Sequence, residues 1–261
     1  MNVKAVIMAG GKGTRLRPIT SVISKHLLPI YDKPMIFYTL SMLELSKVSS
    51  VLIIVNPAEK IQFEKVVKYY KGKIKISFET QSKPNGIAEC FKISEKFLRN
   101  SKKFILILGD NFFYGREINK LIFNLLIKKN NKSWIFLSPV DKPEKFGIAY
   151  FNKKSKLEKI IEKPKNKKSN FAVTGLYVYD QKVFKLLKKI EKSKRGELEI
   201  SSVNNRILKN NLLDYCMLGR GTTWFDMGTF EDIFNTSEFV KLIQNRQGLS
   251  VGVPGKDAIN K

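Results

Sequence analysis

Cysteine and histidine are nearly missing from this chain of 261 residues: Cys90, Cys216 and His26 are all it has. Two cysteines form neither a disulfide framework nor a metal-ligand cluster. A single histidine argues against a histidine-based zinc site or a Ser-His-Asp triad. Long apolar runs are also absent. The longest, at 51–55 and 104–108, span five residues, whereas a membrane helix needs roughly 20, so no bilayer-spanning segment is expected. The N-terminus shows no basic region, apolar core and small-residue cleavage site of a secretory signal. These absences together suggest a reduced, soluble, cytoplasmic protein. Acidic residues are few, 23 against 48 basic ones, which leaves a formal charge of +25. Arginine is scarce too: 8 of the 48. Base-edge readout leans on arginine forks and single-strand binding on aromatic platforms. Here lysines such as Lys185, Lys188, Lys189 and Lys192 are spread along exposed-looking helix faces. Only the charge suggests nucleic-acid binding; the simpler reading is a solvated lysine surface whose field can draw polyphosphates inward.

What is present suits one large α/β domain. Hydrophobic residues make up 43% and charged residues 27%, ordinary for a chain with a sizeable core. An apolar run at 3–8 closes on Gly10, Gly11 and Gly13 and reads as a buried strand feeding a glycine loop. Further strands are expected at 51–55, 74–78, 104–108 and 134–137. Helices are expected from Pro34 to about residue 45, with proline in its favoured first turn, and at 57–70, 87–98 and 117–129. Continuous apolar strands alternating with amphipathic helices indicate a mainly parallel sheet covered on both faces. The second half changes character, with a hairpin at 147–151 and 157–161, a strand at 171–179 and helices at 181–192 and 197–209. A strand at 212–218 and a last helix at 230–244 follow. No linker or internal repeat interrupts the chain.

Gly10-Gly11-Lys12-Gly13-Thr14-Arg15-Leu16-Arg17-Pro18 is the sharpest chemical signal. Glycines after a buried strand let main-chain N–H groups approach phosphate oxygens. The lysine lies among the glycines, so this is not a Walker A loop, and Leu16 stands where a dinucleotide fingerprint needs its third glycine. An ordinary glycine turn is the plainer reading. Arg15 and, ten residues on, Lys25 favour a site instead, because two cations beside such a loop would neutralise a triphosphate. Asp110 falls just past a buried strand, at the sheet edge where open α/β folds place ligands. Taken alone, Asp110 or Asp226 could equally be a helix cap or turn residue.

With Ser24-Lys25-His26-Leu27-Leu28-Pro29, Tyr31-Asp32-Lys33-Pro34-Met35-Ile36, Leu108-Gly109-Asp110-Asn111, Glu162-Lys163-Pro164, Val173-Thr174-Gly175-Leu176-Tyr177 and Trp224-Phe225-Asp226-Met227-Gly228-Thr229 added in that order, the sequence resembles the short form of the sugar nucleotidyltransferases over residues 3 to about 249. The resemblance implies a three-layer α/β/α sandwich with a mixed, mainly parallel sheet, a Rossmann-like nucleotide-diphospho-sugar transferase fold. It implies a nucleotide-binding part at about 1–140, a sugar-phosphate-binding part at about 141–230 and a C-terminal helical part at about 230–261. The implied reaction joins dTTP to α-D-glucose 1-phosphate, on the way to dTDP-rhamnose or another dTDP-deoxysugar. A UTP-dependent uridylyltransferase and a catalytically silent nucleotide-sugar-binding subunit are the alternatives.

By the same resemblance Gly10, Gly11, Gly13, Thr14, Arg15 and Lys25 bind the triphosphate, while Gln81 and Gly86 read the pyrimidine, with an amide matching its carbonyl and N–H. Lys163 aims the sugar phosphate, and Glu162 with the backbone at Gly147 and Val173 completes that pocket. Arg15, Lys25 and Lys163 are the implied catalytic cations, and Asp110 and Asp226 hold Mg²⁺. The implied state is a homo-oligomer, a tetramer, without nucleic acid or membrane partners. Two positions depart from the pattern: His26, where many relatives carry glutamine, and Phe146, where they often carry tyrosine. Similar enzymes also continue in helices beyond the position of Lys261, and those helices carry subunit contacts and a feedback site. The ending Val253-Pro254-Gly255-Lys256-Asp257 does not follow their pattern, which leaves regulation and assembly open.

Overall fold

The computed structural model describes residues 3–83, 85–115, 117–166, 168–187, 193 and 196–254. Its first half alternates strands and helices: β1 (Lys4–Ala9), the short pair β2 (Pro29–Ile30) and β3 (Lys33–Pro34), α1 (Met35–Leu45), β4 (Ser50–Val55), α2 (Lys60–Val67), β5 (Lys75–Thr80), α3 (Glu89–Leu98), β6 (Lys103–Leu108), β7 (Asn111–Tyr114), α4 (Ile118–Ile127) and β8 (Ser133–Pro139). The second half adds β9 (Gly147–Phe151), β10 (Leu157–Glu162), β11 (Phe171–Asp180), α5 (Val183–Leu187), α6 (Ile200–Lys209), β12 (Leu213–Met217), β13 (Thr223–Asp226) and α7 (Phe230–Gln247).

Nine strands form one sheet in the order β10-β9-β11-β6-β1-β4-β5, with β8 against β11 and β12 outside β8. β5, β4, β1 and β6 run parallel, as do β8 and β12, whereas β11 is antiparallel to β6, β8 and β9. The sheet is therefore mixed and mainly parallel, as expected. Pleating divides β1 between two cores. Ala5, Ile7 and Ala9 meet Leu40, Phe63 and Ile122 on the face covered by α1, α2 and α4. Val6 and Met8 meet Phe91, Val203 and Ile207 on the face covered by α3, α5 and α6. A third, smaller core seats α7 through Val240 against Tyr38, Phe112 and Met227.

Proline stands one place earlier than expected, at the cap of α1. The last helix begins in a capping box, with Thr229 Oγ1 accepting from the Asp232 N–H at 3.2 Å and the Asp232 carboxylate accepting from the Thr229 N–H at 3.0 Å. Of the helix expected at 181–192, α5 covers Val183–Leu187, and residues 188–192 lie outside the described residues, as do 255–257 of the chain's ending. The ribbon of β7 and β13 had no counterpart among the expected strands. Its antiparallel register sets Asp226 opposite Asn111 and Trp224 opposite Phe113.

Candidate active site

Three parallel strands end at one edge of the sheet, and each is followed by a residue of interest. β1 gives way to Gly10 and Gly11, β5 to Gln81, and β6 to Asp110. These residues with Lys25, His26, Gly86 and Glu197 line a cavity of about 200 Å³. A second cavity of about 230 Å³ adjoins it across Ile87 and Leu108, which line both. Gly147, Glu162, Lys163 and Val173 line the second cavity together with Arg15, Trp224 and Asp226.

Asp110 and Asp226, 116 residues apart in the chain, meet through the ribbon. The Met227 N–H donates to the Asp110 carbonyl at 2.9 Å, just beyond the last pair of the ladder. Burial alone would push the Asp110 carboxyl up. The Lys25 ammonium, paired with its Oδ2, and a hydrogen bond from Asn111 outweigh that and hold it well below the usual carboxylate range. Asp226 goes the other way: burial first, then the neighbouring Asp110 charge, raise its pKa against the pull of Lys25 and Arg15. Two carboxylates share a site that compensates only one of them fully. Lys25 is itself buried, at the head of a 3₁₀ turn that the Lys25 carbonyl closes by accepting from Leu28 N–H at 3.1 Å.

Gln81 is buried and fixed in orientation. Its Nε2 donates to the Gly86 carbonyl at 3.1 Å and to Glu89 Oε2 at 2.7 Å. Its Oε1 faces Gly10, 3.1 Å from where a Cβ would stand there. The donor half expected for base reading is thus engaged by the protein, and the acceptor half faces the glycine loop. Gly86 has φ +106, and a Cβ there would come within 2.5 Å of the Leu198 carbonyl oxygen, so the loop passes close against residues 197–198.

Lys163 is exposed and sits in the left-handed region, φ 45, where its N–H donates to the Phe146 carbonyl at 2.9 Å. Phe146 packs edge-on to Trp224 with ring centroids 5.3 Å apart. Arg15 does not share the cavity of Gly10 and Gly11. It lies over Gly228, whose added Cβ would stand 2.6 Å from its Nη2, and it lines the second cavity beside Asp226. Gly13 and Thr14 line neither cavity; Gly13 caps the following 3₁₀ turn, and its carbonyl accepts from Thr20 Oγ1 at 2.7 Å. Sequence reasoning did not single out Asn111, Trp224 or Glu89 for roles of their own. A buried asparagine directly after Asp110 was the available signal for the first. For the other two, only the tertiary pairing reveals what they hold.

Residues 4–242 match the family model described as nucleotidyl transferase. The chain belongs to that family. It is 40% identical over 250 residues to the glucose-1-phosphate thymidylyltransferase of Neisseria meningitidis, covering 95% of this chain and 86% of that protein. The enzyme of that name from Mycolicibacterium smegmatis is 38% identical over 253 residues, covering 97% and 87%. A structure described as UDP-glucose pyrophosphorylase with UDP-glucose superposes with a TM-score of 0.81 at 22% identity, over 93% of this chain and 100% of that one, a likeness of fold alone.

Proposed function

We propose that this nucleotidyltransferase joins dTTP and α-D-glucose 1-phosphate to give dTDP-glucose and pyrophosphate. The observation that carries the reading is the pair of adjoining cavities with one aspartate at each: Asp110 beside the glycine loop and Gln81, Asp226 beside Glu162 and Lys163. Two substrates placed this way meet at the carboxylates. The nucleotide lies over Gly10 and Gly11, with Gln81 Oε1 accepting from the pyrimidine N–H. The sugar phosphate lies in the second cavity, where Lys163 orients its phosphate and Glu162 accepts from sugar hydroxyls. The sugar-phosphate oxygen then attacks the α-phosphorus in line and pyrophosphate leaves. Positioning and charge neutralisation supply the acceleration, and no protein nucleophile is required.

Among the described residues Asp110 and Asp226 form no cluster with a third acidic, histidine or cysteine side chain. Two hard carboxylates with the remaining positions left to water and phosphate fit Mg²⁺, which rarely takes an all-protein cage. Asp110 and Asp226 would hold it, and when bound it supplies charge neutralisation at the phosphates. Lys25 is paired with Asp110, and Arg15 lines the second cavity with Asp226 and acts on its charge, so each is placed to share that neutralisation. The enzyme works in the cytoplasm as a homo-oligomer, and its product feeds dTDP-deoxysugar synthesis.

A uridylyltransferase is the second reading, favoured by one observation: of the Gln81 amide only Oε1 is left to read the base, because Nε2 is engaged by Gly86 and Glu89, and the N–H it would accept from is shared by thymine and uracil. Their difference is one methyl group, worth about 1–3 kcal/mol. The test is a matrix of four nucleoside triphosphates against hexose 1-phosphates with Mg²⁺, read as pyrophosphate release. The highest kcat/KM is expected for dTTP with glucose 1-phosphate. No pyrophosphate from dTTP, UTP or CTP would overturn the proposal and leave the silent subunit.

A further inference from the structure

A cavity of about 960 Å³ lies at the opposite edge of the sheet from Asp110. β6 starts at its wall with Lys103 and ends at Leu108, and six residues at about 3.3 Å each set the two places roughly 20 Å apart. Lys103 is buried. Its Nζ donates to the Lys128 carbonyl at 2.6 Å and to Asn130 Oδ1 at 3.0 Å, and lies 4.5 Å from the centroid of the buried Trp134 ring. The Lys128 ammonium lies over the same ring at 5.8 Å. Burial first, and the Lys128 charge with it, lower the Lys103 pKa against the pull of Asp180. Six exposed cations, Arg99, Lys102, Lys128, Lys129, Lys182 and Lys185, share the cavity wall with Lys103 and with two carboxylates, Glu95 and Asp180. Asp180 accepts from the Lys182 N–H at 3.0 Å, and among the described residues neither carboxylate is ion-paired with a cation. Helices α3 and α4 also end here, at Leu98 and Ile127. Each helix end carries about half a negative charge, so capping them answers about one unit of a formal +5. The remaining like charges repel one another around an open space.

We infer that this cavity binds an oligophosphate anion, free or as the tail of a nucleotide, at a site separate from the two catalytic cavities. Several phosphates in a row meet several ammoniums at once, and each contact is a charge-assisted hydrogen bond. Lysines on flexible stems suit that ligand as mobile point charges, without the fixed geometry of an arginine fork. A single orthophosphate would leave most of the space unfilled and most of the charge unanswered. Nucleic acid fits less well. Arg99 is the one arginine among these cations, and Phe184 is packed into the core under α5 instead of standing as a stacking platform.

The chain has two tryptophans, Trp134 beneath these lysines and Trp224 at the catalytic cavities. The full chain labelled with 5-fluorotryptophan therefore reports both places by ¹⁹F NMR, its resonances assigned with Trp224→Phe or Trp134→Phe. Sodium tripolyphosphate is added without Mg²⁺ at about 0.15 M salt, where diffuse attraction is screened beyond about 8 Å. The Trp134 resonance should shift to saturation. The triple variant Lys102→Gln, Lys129→Gln and Lys182→Gln should weaken that titration at least tenfold. The charge-matched triple Lys153→Gln, Lys154→Gln and Lys156→Gln, in the turn between β9 and β10, should weaken it less than twofold. All six lysines are exposed, so both variants should keep the wild-type melting temperature. Tighter binding of dTTP than of tripolyphosphate at Trp134 assigns the anion to a nucleotide; equal or weaker binding assigns it to free oligophosphate. Equal weakening in the two triples would overturn the inference, as would a Trp134 resonance that never saturates or orthophosphate binding as tightly as tripolyphosphate. A single-stranded oligothymidylate that shifts Trp134 and resists displacement by tripolyphosphate would overturn it too. Pyrophosphate release and the Trp224 resonance read the catalytic cavities separately, so failure at Trp134 leaves the proposed function standing.

Discussion

Trp224 Nε1 donates to Asn111 Oδ1 at 2.6 Å, and the other half of the same amide donates to Asp110 Oδ1 at 3.0 Å. The Gly175 N–H shares Oδ1 at 3.2 Å. One buried amide therefore links the strand that carries Asp226, the loop that carries Asp110 and the strand that walls the second cavity. Replacing Asn111 by alanine strands the Trp224 and Gly175 donors, a loss of about 2–4 kcal/mol, and frees Asp110 to turn. Urea denaturation should show that loss, and pyrophosphate release should fall by more than tenfold. A variant with wild-type turnover would deny that the amide positions Asp110.

Asp110 and Asp226 should answer differently to the same substitution. Asp110→Asn removes the partner of the buried Lys25 ammonium, so kcat should fall by orders of magnitude while the circular dichroism spectrum stays native. A twofold loss would exclude Asp110 from the metal site. Asp226→Asn should also abolish turnover, yet raise the melting temperature at pH 8. Burial and Asp110 raise the pKa of Asp226 in the folded protein. The folded state therefore binds more protons than the unfolded one between the ordinary carboxylate pKa and the raised value, and stability falls as pH rises through that window. An amide carries no such charge and escapes the loss.

The strands that place this site were legible where they are continuous and apolar. β1, β4 and β6 bury nearly every residue, and such runs admit few readings. β7 and β13 were not legible. Each has four residues, and each finds its partner more than a hundred positions away, so no local period announces them. Arg15 was read with the glycine loop that precedes it, but the 3₁₀ turn at Thr14–Leu16 carries it to Gly228 instead. Gln81 was read as a donor and an acceptor because its sequence context does not show Glu89 reaching its amide.

That contact gives a prediction of its own. Glu89→Ala removes the 2.7 Å acceptor that helps fix the Gln81 amide, so Oε1 loses its orientation towards Gly10. The KM for dTTP should rise three- to tenfold, the scale of one hydrogen bond worth about 1 kcal/mol, with kcat little changed. Loss of uniform binding appears in KM alone. A fall in kcat at constant KM would place Glu89 elsewhere in the mechanism.

His26 should make the protein acid-labile. Burial, with the Lys25 ammonium adding to it, lowers its pKa from the ordinary 6.5 to about 3, so the folded state holds the ring neutral. Unfolding exposes it to protonation at pH 6.5. Stability from this residue is therefore full above about pH 6.5 and is lost as pH falls towards 3, at up to about 1.4 kcal/mol per pH unit. His26→Gln takes up no proton. Denaturant midpoints measured from pH 8 to pH 4 should keep a constant offset between wild type and variant if the ring titrates alike in the folded and unfolded chain, and diverge from that offset in favour of the variant at low pH if the fold keeps it neutral. Divergence is expected.

Two glycines separate the cost of crowding backbone from the cost of moving a side chain. At Gly86 a Cβ meets the Leu198 backbone at 2.5 Å in a left-handed conformation, and neither obstacle can move without unseating the loop. Gly86→Ala should destabilise by about 1–3 kcal/mol and weaken dTTP binding together. At Gly228 the obstacle is the far end of Arg15, 2.6 Å away at Nη2, and a flexible guanidinium can swing aside. Gly228→Ala should therefore leave the melting temperature close to wild type while kcat falls about tenfold, because Arg15 is displaced from Asp226 and the second cavity. Arg15→Lys should give a similar kcat, since an ammonium cannot reproduce the planar fork. If Gly228→Ala turns over at the wild-type rate, Arg15 has no part in neutralising the phosphates.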